Sequence, residues 1–331
     1  MEKIIIFGAT GNIGAYFLDY CMQNLDLEKY ELVAVGRKET HFFDDFGIKY
    51  LRVDIEKPED MGKLPRKNVF AVVHLAGILP AYSGNVDVYH YMDVNIVGSI
   101  RILEYARECG ADRVVYAQTW AVLAGYWGKE SVLSPKLPRK LKYTGDHAFY
   151  SITKNMVEDA LEYYHKEHGI KNFVFRLPNV YLYHPKKEYY VDGKKRYIGY
   201  RRMIDLAIEG KPIELWGDPD AYKDILYIKD LCGMMCRALM ADVDGGTYNA
   251  GTGRKTTLRE QIDGIISVFS PDGLKSSIIE RPDKESFTSF VMDVGNIIED
   301  LGYNCKYTYI DYLKDYKAEQ ERKRFDSLWT R

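Results

Sequence analysis

Short apolar runs alternate with amphipathic stretches along the N-terminal half of the chain. The first run, Ile4–Phe7, is followed by a segment, Asn12–Asn24, whose apolar residues recur at helical spacing. Further apolar runs of strand length follow, with helical patterns between them: ELVAVG, KYLRVD (Lys49–Asp54), VFAVVHLAG (Val69–Gly77), DRVVYAQT and NFVFRLPNVY. Strands that alternate with helices predict a parallel, doubly wound α/β sheet. Such sheets bind ligands in the crevice beyond the carboxyl ends of their strands.

The loop after the first strand has the glycine spacing of a dinucleotide-binding turn. FGATGNIG places Gly8, Gly11 and Gly14 between a predicted strand and a predicted helix. In this pattern Gly8 permits a tight turn, Gly11 lets the backbone approach a pyrophosphate, and Gly14 lets the helix pack closely on the strand. The helix N-terminus supplies N–H groups and partial positive charge for the phosphates. An ordinary glycine turn is the alternative, but the position inside a βαβ unit favours a dinucleotide.

Cations stand at the end of the second predicted strand, in the sequence Gly36–Arg37–Lys38. A carboxylate at this place accepts the ribose hydroxyls of NAD. Two cations instead favour the 2′-phosphate of NADP, unless Arg37 and Lys38 are solvated loop charges. We expect NAD or NADP as the cofactor, with a modest preference for NADP. Asp54, at the end of the third strand, either accepts from the adenine amino group or is a surface turn residue.

Tyr150 and Lys154 lie one helical turn apart in the segment YSITK. Residues at i and i+4 share a helix face, so the phenol and the ammonium point at a common target. Taken alone, Tyr150 would be a packed ring and Lys154 a solvated helix charge. The pair acquires a function only if the rest of the chain supplies a target for it.

Composition excludes several classes of protein. The chain has 331 residues, with 46 Lys and Arg against 48 Asp and Glu and a formal net charge of −2, unlike the basic surface of a nucleic-acid binder. The five cysteines have neither C-x-x-C nor zinc spacing, so we expect no metal site and a reduced, cytoplasmic protein. No signal peptide or membrane-spanning run is recognisable, so we expect no membrane association.

Taken together, the motifs resemble the extended short-chain dehydrogenase/reductase family, in its nucleotide-sugar epimerase/dehydratase branch. The matching segments occur in family order over nearly the whole chain: GATGNIG, VDI, HLAG, VNIVG, Thr119 after a strand, YSITK, RLPNVY, KDILYIKDL, YNAGTG and a late RP. The resemblance implies a Rossmann-type dinucleotide-binding domain over residues 1–178, to which residues 224–250 return. It implies a smaller C-terminal substrate-binding domain formed by residues 179–223 and 251–331.

The resemblance also implies catalytic roles for three residues. Tyr150 would be the general acid/base, and Thr119 would hydrogen-bond the reacting sugar oxygen. An unperturbed phenol has a pKa of about 10, and we expect Lys154, with bound oxidised nicotinamide, to lower it. The implied cofactor-binding residues are Tyr150 and Lys154 together with Gly8, Thr10, Gly11, Asn12, Ile13, Gly14, Arg37, Asp54, Ile55, Leu75, Ala76, Gly77, Asn95 and Pro178. Asn95 would otherwise be a helix N-cap, and His74 is expected to be structural.

A nucleotide-sugar pocket is implied in the second half of the chain. Asn179 and Arg281 match residues that contact the substrate diphosphate. Lys223 stands where the family usually has an arginine for the phosphates, so the phosphate contacts of this lysine should be less directional. Trp216 borders the nucleotide base, unless it is a core residue, and surface solvation is the alternative for Arg281. The charged, tyrosine-rich segment Leu182–Met203 has no sheet periodicity, so we expect a mobile insertion that closes over the active site.

Departures from the family pattern reduce the number of reactions that the resemblance allows. Trp120–Ala121 follows Thr119 where the 4,6-dehydratases usually carry an Asp-Glu pair, so dehydration is not expected. The departures AQTW and Leu182 affect the shape of the sugar pocket. We expect an NAD(P)-dependent nucleotide-sugar epimerase similar to UDP-glucose 4-epimerase, with an NADPH-dependent ketoreductase as the alternative. A catalytically silent NAD(P)-binding regulatory protein is a third hypothesis. The family often dimerises through the helices that carry Asn95 and Tyr150, so we expect a homodimer.

Overall fold

A seven-stranded sheet forms the centre of the computed structural model, which describes residues 1–84 and 87–329. The strand order is β3-β2-β1-β4-β5-β7-β14, and every neighbouring pair is parallel. The strands are β1 (Glu2–Phe7), β2 (Tyr30–Gly36), β3 (Lys49–Arg52), β4 (Val69–His74), β5 (Arg113–Thr119), β7 (Lys171–Leu177) and β14 (Gly245–Asn249). The predicted doubly wound α/β fold is confirmed, although β3 and β4 end two and three residues earlier than the apolar runs suggest.

Helices cover both faces of this sheet because its strands are apolar on both sides. In β1, Ile4 and Ile6 join one buried cluster, whereas Ile5 and Phe7 join another. Successive side chains of a strand point to opposite faces, so a continuous apolar run is expected for a strand covered twice. Helices α1 (Asn12–Asn24) and α7 (Ile228–Met240) pack on the first face, and α4 (Gly98–Glu108) and α5 (Ala148–His168) pack on the second.

The remaining elements lie mostly between and after the sheet strands. The helices are α2 (Pro80–Ser83), α3 (Val88–Tyr91), α6 (Gly199–Ile208), α8 (Leu258–Phe269), α9 (Gly295–Leu301), α10 (Tyr309–Arg322) and α11 (Asp326–Trp329). The short strands are β6 (Val132–Leu133), β8 (Val180–Tyr181), β9 (Glu188–Val191), β10 (Lys194–Tyr197), β11 (Ile213–Trp216), β12 (Tyr222–Lys223), β13 (Leu226–Tyr227), β15 (Thr256–Thr257), β16 (Ile278–Arg281) and β17 (Val291–Met292). Within the described ranges, no helix combines the length and apolar character needed to cross a bilayer.

The segment predicted to lack sheet structure contains an antiparallel hairpin. Strands β9 and β10 pair from Glu188 with Tyr197 to Val191 with Lys194. Asp192 (φ 48°) and Gly193 (φ 70°) form the turn. Positive φ at both central residues is the signature of a type I′ turn, for which Asp-Gly is a preferred sequence. This stretch therefore forms sheet pairs although its sequence lacks sheet periodicity, and the Asp-Gly pair was the signal that could have revealed the hairpin.

Candidate active site

A cavity of about 2360 Å³ opens at the carboxyl ends of β1, β2, β4 and β5 and extends toward the C-terminal elements. Its lining brings together nearly all of the residues predicted to bind cofactor. Those residues are Gly8, Thr10, Gly11, Asn12, Ile13, Gly14, Arg37, Asp54, Ile55, Leu75, Ala76, Gly77, Tyr150, Lys154 and Pro178. The position agrees with the rule that open parallel sheets bind ligands beyond the carboxyl ends of their strands.

The glycine turn has no room for side chains at Gly8 and Gly14, because backbone atoms lie too close to them. Gly8 has a φ of 82°, and a Cβ there would lie 2.7 Å from the carbonyl carbon of Leu75. A Cβ on Gly14 would lie 2.1 Å from the Gly8 carbonyl oxygen. Gly11 is the N-cap of α1, and no side chain caps this helix N-terminus. The N–H groups of the first turn therefore face the cavity without a side-chain acceptor, which is the arrangement that a pyrophosphate needs.

Basic side chains surround the end of β2. Arg37 lines both the main cavity and a smaller recess of about 160 Å³, whose other lining residues are Arg52, Asp54, Lys57, Asp60 and Lys63. The Arg52 Nε–H group donates to the Arg37 carbonyl oxygen (3.3 Å). The Asp54 N–H donates to the Asp60 carboxylate (2.8 Å), which fixes the backbone after β3. The recess combines more cations than carboxylates, so an additional phosphate group fits its charge.

The three predicted catalytic residues meet at the cavity wall. Thr119 is the last residue of β5, whereas Tyr150 and Lys154 lie in the first two turns of α5. Lys154 is 7% exposed, and its ammonium nitrogen lies 4.0 Å from the centroid of the Tyr116 ring. The three side chains thus line the same cavity, and the i, i+4 spacing puts Tyr150 and Lys154 on one face of α5.

Burial dominates the protonation of the catalytic pair. Desolvation lowers the pKa of Lys154 to about 7, and the negative charge of Glu158 opposes part of that shift. Desolvation raises the pKa of Tyr150 well above its ordinary value, and a hydrogen bond with Thr119 opposes the rise. The expectation that Lys154 makes the phenol acidic is therefore not met in this structure, because burial raises the pKa of the phenol and the charge of Lys154 does not contribute to the shift.

Asn95 is placed differently from the prediction. It lies within a π-helical turn, Met92–Val97, between α3 and α4, and the N-cap of α3 is Asp87. The interpretation of Asn95 as an N-cap is therefore wrong. Its amide accepts from the Ile78 N–H (2.8 Å) and donates to the Ile78 carbonyl (3.0 Å) and to the Thr153 hydroxyl (3.2 Å). Asn95 does not itself line the cavity but fixes the loop after β4 against α5.

His74 ends β4 and is buried, with its Nε2 atom 2.7 Å from the Ser99 hydroxyl oxygen. Burial lowers the pKa of His74 well below its ordinary value, so the ring is neutral near pH 7. The expectation that His74 is structural is confirmed, because the ring binds a helix residue and lies outside the cavity lining.

The predicted substrate residues are only partly brought together. Asn179, Trp216 and Lys223 line the cavity, and the Lys223 ammonium lies 4.1 Å from the Phe287 ring centroid. Trp216 is 52% exposed, so the alternative of a core tryptophan is wrong. Its indole N–H donates to Glu214 (2.6 Å), and the Lys284 ammonium lies over its ring, 5.8 Å from the centroid.

Arg281 lies outside the cavity lining and forms ion pairs with carboxylates. Its guanidinium pairs with Glu214 (2.8 Å) and with Asp283 (3.0 Å). Strands β11 and β16 pair in a register that places Arg281 beside Trp216, and this pairing brings the guanidinium to Glu214. The structure therefore does not bring Arg281 together with the other predicted phosphate-binding residues, because strand pairing supplies the arginine with protein partners.

Several residues that line the cavity were not predicted from the sequence. Trp120 stacks between Trp127 and Phe290, with ring centroids 4.2 and 4.5 Å away, and so forms a rigid aromatic wall next to Thr119. Cations from separate segments also line the cavity: Lys142, Lys186, Arg196 and Arg202. The run of charges between Leu182 and Met203 was the available signal for three of these cations. An anionic ligand is the natural complement of such a lining.

Comparisons with known proteins agree with this geometry. Residues 4–251 match the model of the NAD dependent epimerase/dehydratase family. A protein of Methanocaldococcus jannaschii with the provisional name UDP-glucose 4-epimerase is 23% identical over 309 residues, which cover 91% of this chain and 92% of that protein.

Two solved structures share the fold over nearly their whole length. UDP-glucose 4-epimerase from Thermotoga maritima, crystallised with UDP-glucose, has a TM-score of 0.75 at 21% identity and covers 96% of this chain and 99% of its own. UDP-glucuronic acid 4-epimerase from Bacillus cereus, in complex with NAD, has a TM-score of 0.72 at 20% identity and covers 96% of both chains. At these identities the likeness supports the fold. The family model matches most of the chain, so the protein belongs to the NAD dependent epimerase/dehydratase family and is an enzyme of that extended short-chain dehydrogenase/reductase type.

Proposed function

We propose that this protein is an NAD(P)-dependent nucleotide-sugar epimerase, similar to UDP-glucose 4-epimerase. The observation that carries the proposal is the convergence of Thr119, Tyr150 and Lys154 on a cavity that begins at the glycine turn. Trp120–Ala121 supports epimerisation over dehydration, because neither residue offers a carboxylate for the elimination of water. The cationic lining and the exposed Trp216 suit a nucleoside diphosphate joined to a sugar.

In the proposed reaction, the chain's own residues move a proton and hold the sugar. The Thr119 hydroxyl orients the reacting sugar oxygen, and Tyr150 takes the proton from that oxygen and later returns it. The Lys154 ammonium stabilises the Tyr150 phenolate, which is the form that accepts this proton and is restored when the phenol returns it. The glycine turn, the loop after β4, Tyr150 and Lys154 would hold a nicotinamide cofactor, which would supply the hydride acceptor and donor for the sugar carbon. Asn179, Lys223 and Trp216 would hold the diphosphate and the base.

The cofactor site is proposed to comprise the glycine turn, the loop after β4 and the two catalytic helix residues. Arg37 and the neighbouring Arg52 support a preference for NADP, because their recess is bordered by cations that suit a 2′-phosphate. Arg37→Asp should weaken NADP binding at least about tenfold and leave NAD binding nearly unchanged, as fluorescence titration can measure. Equal losses for both cofactors would contradict this preference.

Residues 1–178 with 224–250 are proposed to bind the dinucleotide, and residues 179–223 with 251–331 to bind the substrate. A homodimer through α4 and α5 is also proposed. Ile152, Met156 and Tyr163 are exposed and form one stripe on α5. Light scattering should give twice the chain mass, and Met156→Glu should give the monomer mass. A monomeric wild-type protein would contradict the proposed dimer.

A ketoreductase is the second candidate, and Gly36–Arg37 favours it, since an enzyme that consumes cofactor commonly uses the phosphorylated form. Incubation with UDP-, GDP-, CDP- and dTDP-sugars, followed by NMR of the sugars and by nicotinamide absorbance, separates the two. Interconversion of two sugars without net change in cofactor supports the epimerase. Stoichiometric oxidation of NADPH supports the reductase. If no sugar nucleotide is converted with either cofactor, the proposal fails.

A further inference from the structure

The buried side chain of Gln118 joins Thr119 to the helix that carries Tyr150 and Lys154. Gln118 precedes Thr119 in β5 and is 1% exposed. Its amide oxygen accepts from the Thr119 N–H (2.8 Å). Its NH₂ group donates to the Lys154 carbonyl (2.9 Å) and to the Glu158 carboxylate (2.7 Å). Every contact pairs a donor with an acceptor, so the reversed amide would lose all three.

Glu158 is the carboxylate nearest to the buried lysine along α5. It follows Lys154 by one helical turn, and only 11% of its side chain is exposed. The Arg176 guanidinium lies 3.2 Å from one of its oxygens, and the Arg139 guanidinium lies 4.0 Å from the other. Its negative charge supports the protonated form of Lys154 against desolvation. Tyr116, Tyr150 and the buried His74 are further titratable groups near this site.

We propose that Gln118 and Glu158 are positioning residues for the reaction. Gln118 fixes the place of Thr119 relative to Tyr150, because the same amide holds the end of β5 and the backbone of α5. Glu158 keeps Lys154 in its ammonium form and anchors the amide of Gln118. The inference rests on the proposed function and extends it to residues that act through Thr119 and Lys154. It also gives a reason for the sequence AQTW, in which a glutamine precedes the catalytic threonine.

The charge role is tested with Glu158→Gln, which keeps the shape and removes the charge. The Lys154 side chain is followed by ¹³C NMR of lysine-labelled protein, with its signal assigned by its loss in Lys154→Met. We expect the midpoint of the Lys154 titration to fall by about one pH unit, since a near opposite charge shifts a pKa by about one to three units. The alkaline limb of kcat should move to lower pH by the same amount.

Glu162→Gln is the matched control, because Glu162 is an exposed carboxylate one turn further along α5. It should leave the Lys154 titration unchanged. Equal shifts in both variants, or no shift in Glu158→Gln, would overturn the charge role. If Glu158→Gln does not fold, the double variant Glu158→Gln/Arg176→Met replaces it. The double variant does not leave the buried Arg176 guanidinium without its carboxylate partner. Arg176 does not contribute to the pKa shift of Lys154, so the same fall is expected.

The positioning role is tested with Gln118→Met, which removes the three hydrogen bonds without changing charge. We expect kcat to fall about 10- to 100-fold at every pH, because small displacements of catalytic groups have effects of this size. KM, cofactor binding and the Lys154 titration should stay close to wild type. A kcat within twofold of wild type would overturn the role. If wild-type protein converts no sugar nucleotide, the proposed function fails, whereas the NMR titration still decides the link between Glu158 and Lys154.

Discussion

Burial governs the protonation of Tyr150 and Lys154. A pKa of about 7 means that Lys154 loses its charge close to neutrality, while the phenol keeps its proton. Catalysis needs the reverse distribution, with an ammonium beside a transient phenolate. The carboxylate of Glu158 acts in that direction, and so would the positive charge of oxidised nicotinamide. Small changes in the surroundings of this pair should therefore have large effects on the rate.

Gly14 has no room for a side chain, so Gly14→Ala should destabilise the protein and weaken cofactor binding. Its Cβ would lie 2.1 Å from a backbone oxygen of the glycine turn, and the helix would have to move away. We expect a loss of about 1–3 kcal/mol in the free energy of unfolding, as for other overpacked sites. Urea denaturation and dinucleotide titration measure the two effects.

Gly62→Ala is the control for that substitution, since a Cβ at Gly62 meets no atom within 4 Å. It should change the free energy of unfolding by less than about 0.5 kcal/mol and leave cofactor binding intact. A Gly14→Ala protein as stable as Gly62→Ala would contradict the steric argument.

The residues that sequence reasoning placed well are those held by local geometry. Tyr150 and Lys154 share a helix face because of their spacing, and the glycine turn follows from its position between β1 and α1. The carboxylate partners of Arg281 could not be predicted, because they depend on the pairing of β11 with β16, two strands far apart in the chain. Burial of Lys154 depends on the packing of α5 against β5, which no local pattern reports.

At the scale of elements, Asn95 joins the loop after β4, the π-helical turn and α5. Its amide provides both hydrogen bonds of the Ile78 backbone and a third to Thr153. Asn95→Ala should reduce the free energy of unfolding by about 1–3 kcal/mol, because it leaves buried backbone groups without partners. Thermal and urea unfolding measure the change.

Asn24→Ala is the comparison, because this exposed asparagine at the end of α1 makes one hydrogen bond, to the Tyr20 carbonyl (2.9 Å). Its loss should amount to less than about 0.5 kcal/mol. If both variants are equally stable, Asn95 does not hold these elements together.

The hairpin and the π-helical turn show how element predictions failed. An Asp-Gly turn between short, charged strands gives no apolar alternation, so β9 and β10 were missed although the turn residues favour them. The π-helical turn makes α3 and α4 one continuous helical stretch, which the sequence pattern did not predict. Strands β1, β2, β4, β5 and β7, by contrast, contain buried apolar runs and were predicted well.

At the scale of the whole molecule, the C-terminal segment packs on elements from the first half. Trp329 stacks on His184 with ring centroids 4.5 Å apart, and it also contacts Tyr16 of α1. The Lys38 ammonium donates to the Leu328 carbonyl (3.3 Å), which links α11 to the end of β2. Contacts of this sequence separation could not be predicted from local pattern.

His184 makes the stability of this junction dependent on pH. Burial and the charge of Arg201 lower its pKa to about 3, and its Nδ1 atom accepts from the Lys186 N–H (3.0 Å). As pH falls below about 6.5, the unfolded chain binds a proton that the folded protein does not, so stability falls. Between pH 7 and pH 5 this residue should contribute a loss of about 2 kcal/mol.

His184→Phe keeps an aromatic ring against Trp329 and cannot titrate. Its free energy of unfolding should therefore change less than that of wild type between pH 7 and pH 5, by about 2 kcal/mol. Urea denaturation at both pH values gives the difference. The same pH dependence in both proteins would contradict this prediction, because it would mean that folding does not change the pKa of His184.

The most direct measurement is single-turnover conversion of the best sugar nucleotide by wild-type protein and by Tyr150→Phe, with cofactor binding measured on the same samples. If Tyr150 is the acid/base, the phenylalanine variant binds cofactor as wild type does and loses at least about 100-fold in the rate of conversion. A Tyr150→Phe protein that converts the sugar at the wild-type rate would contradict the proposed reaction.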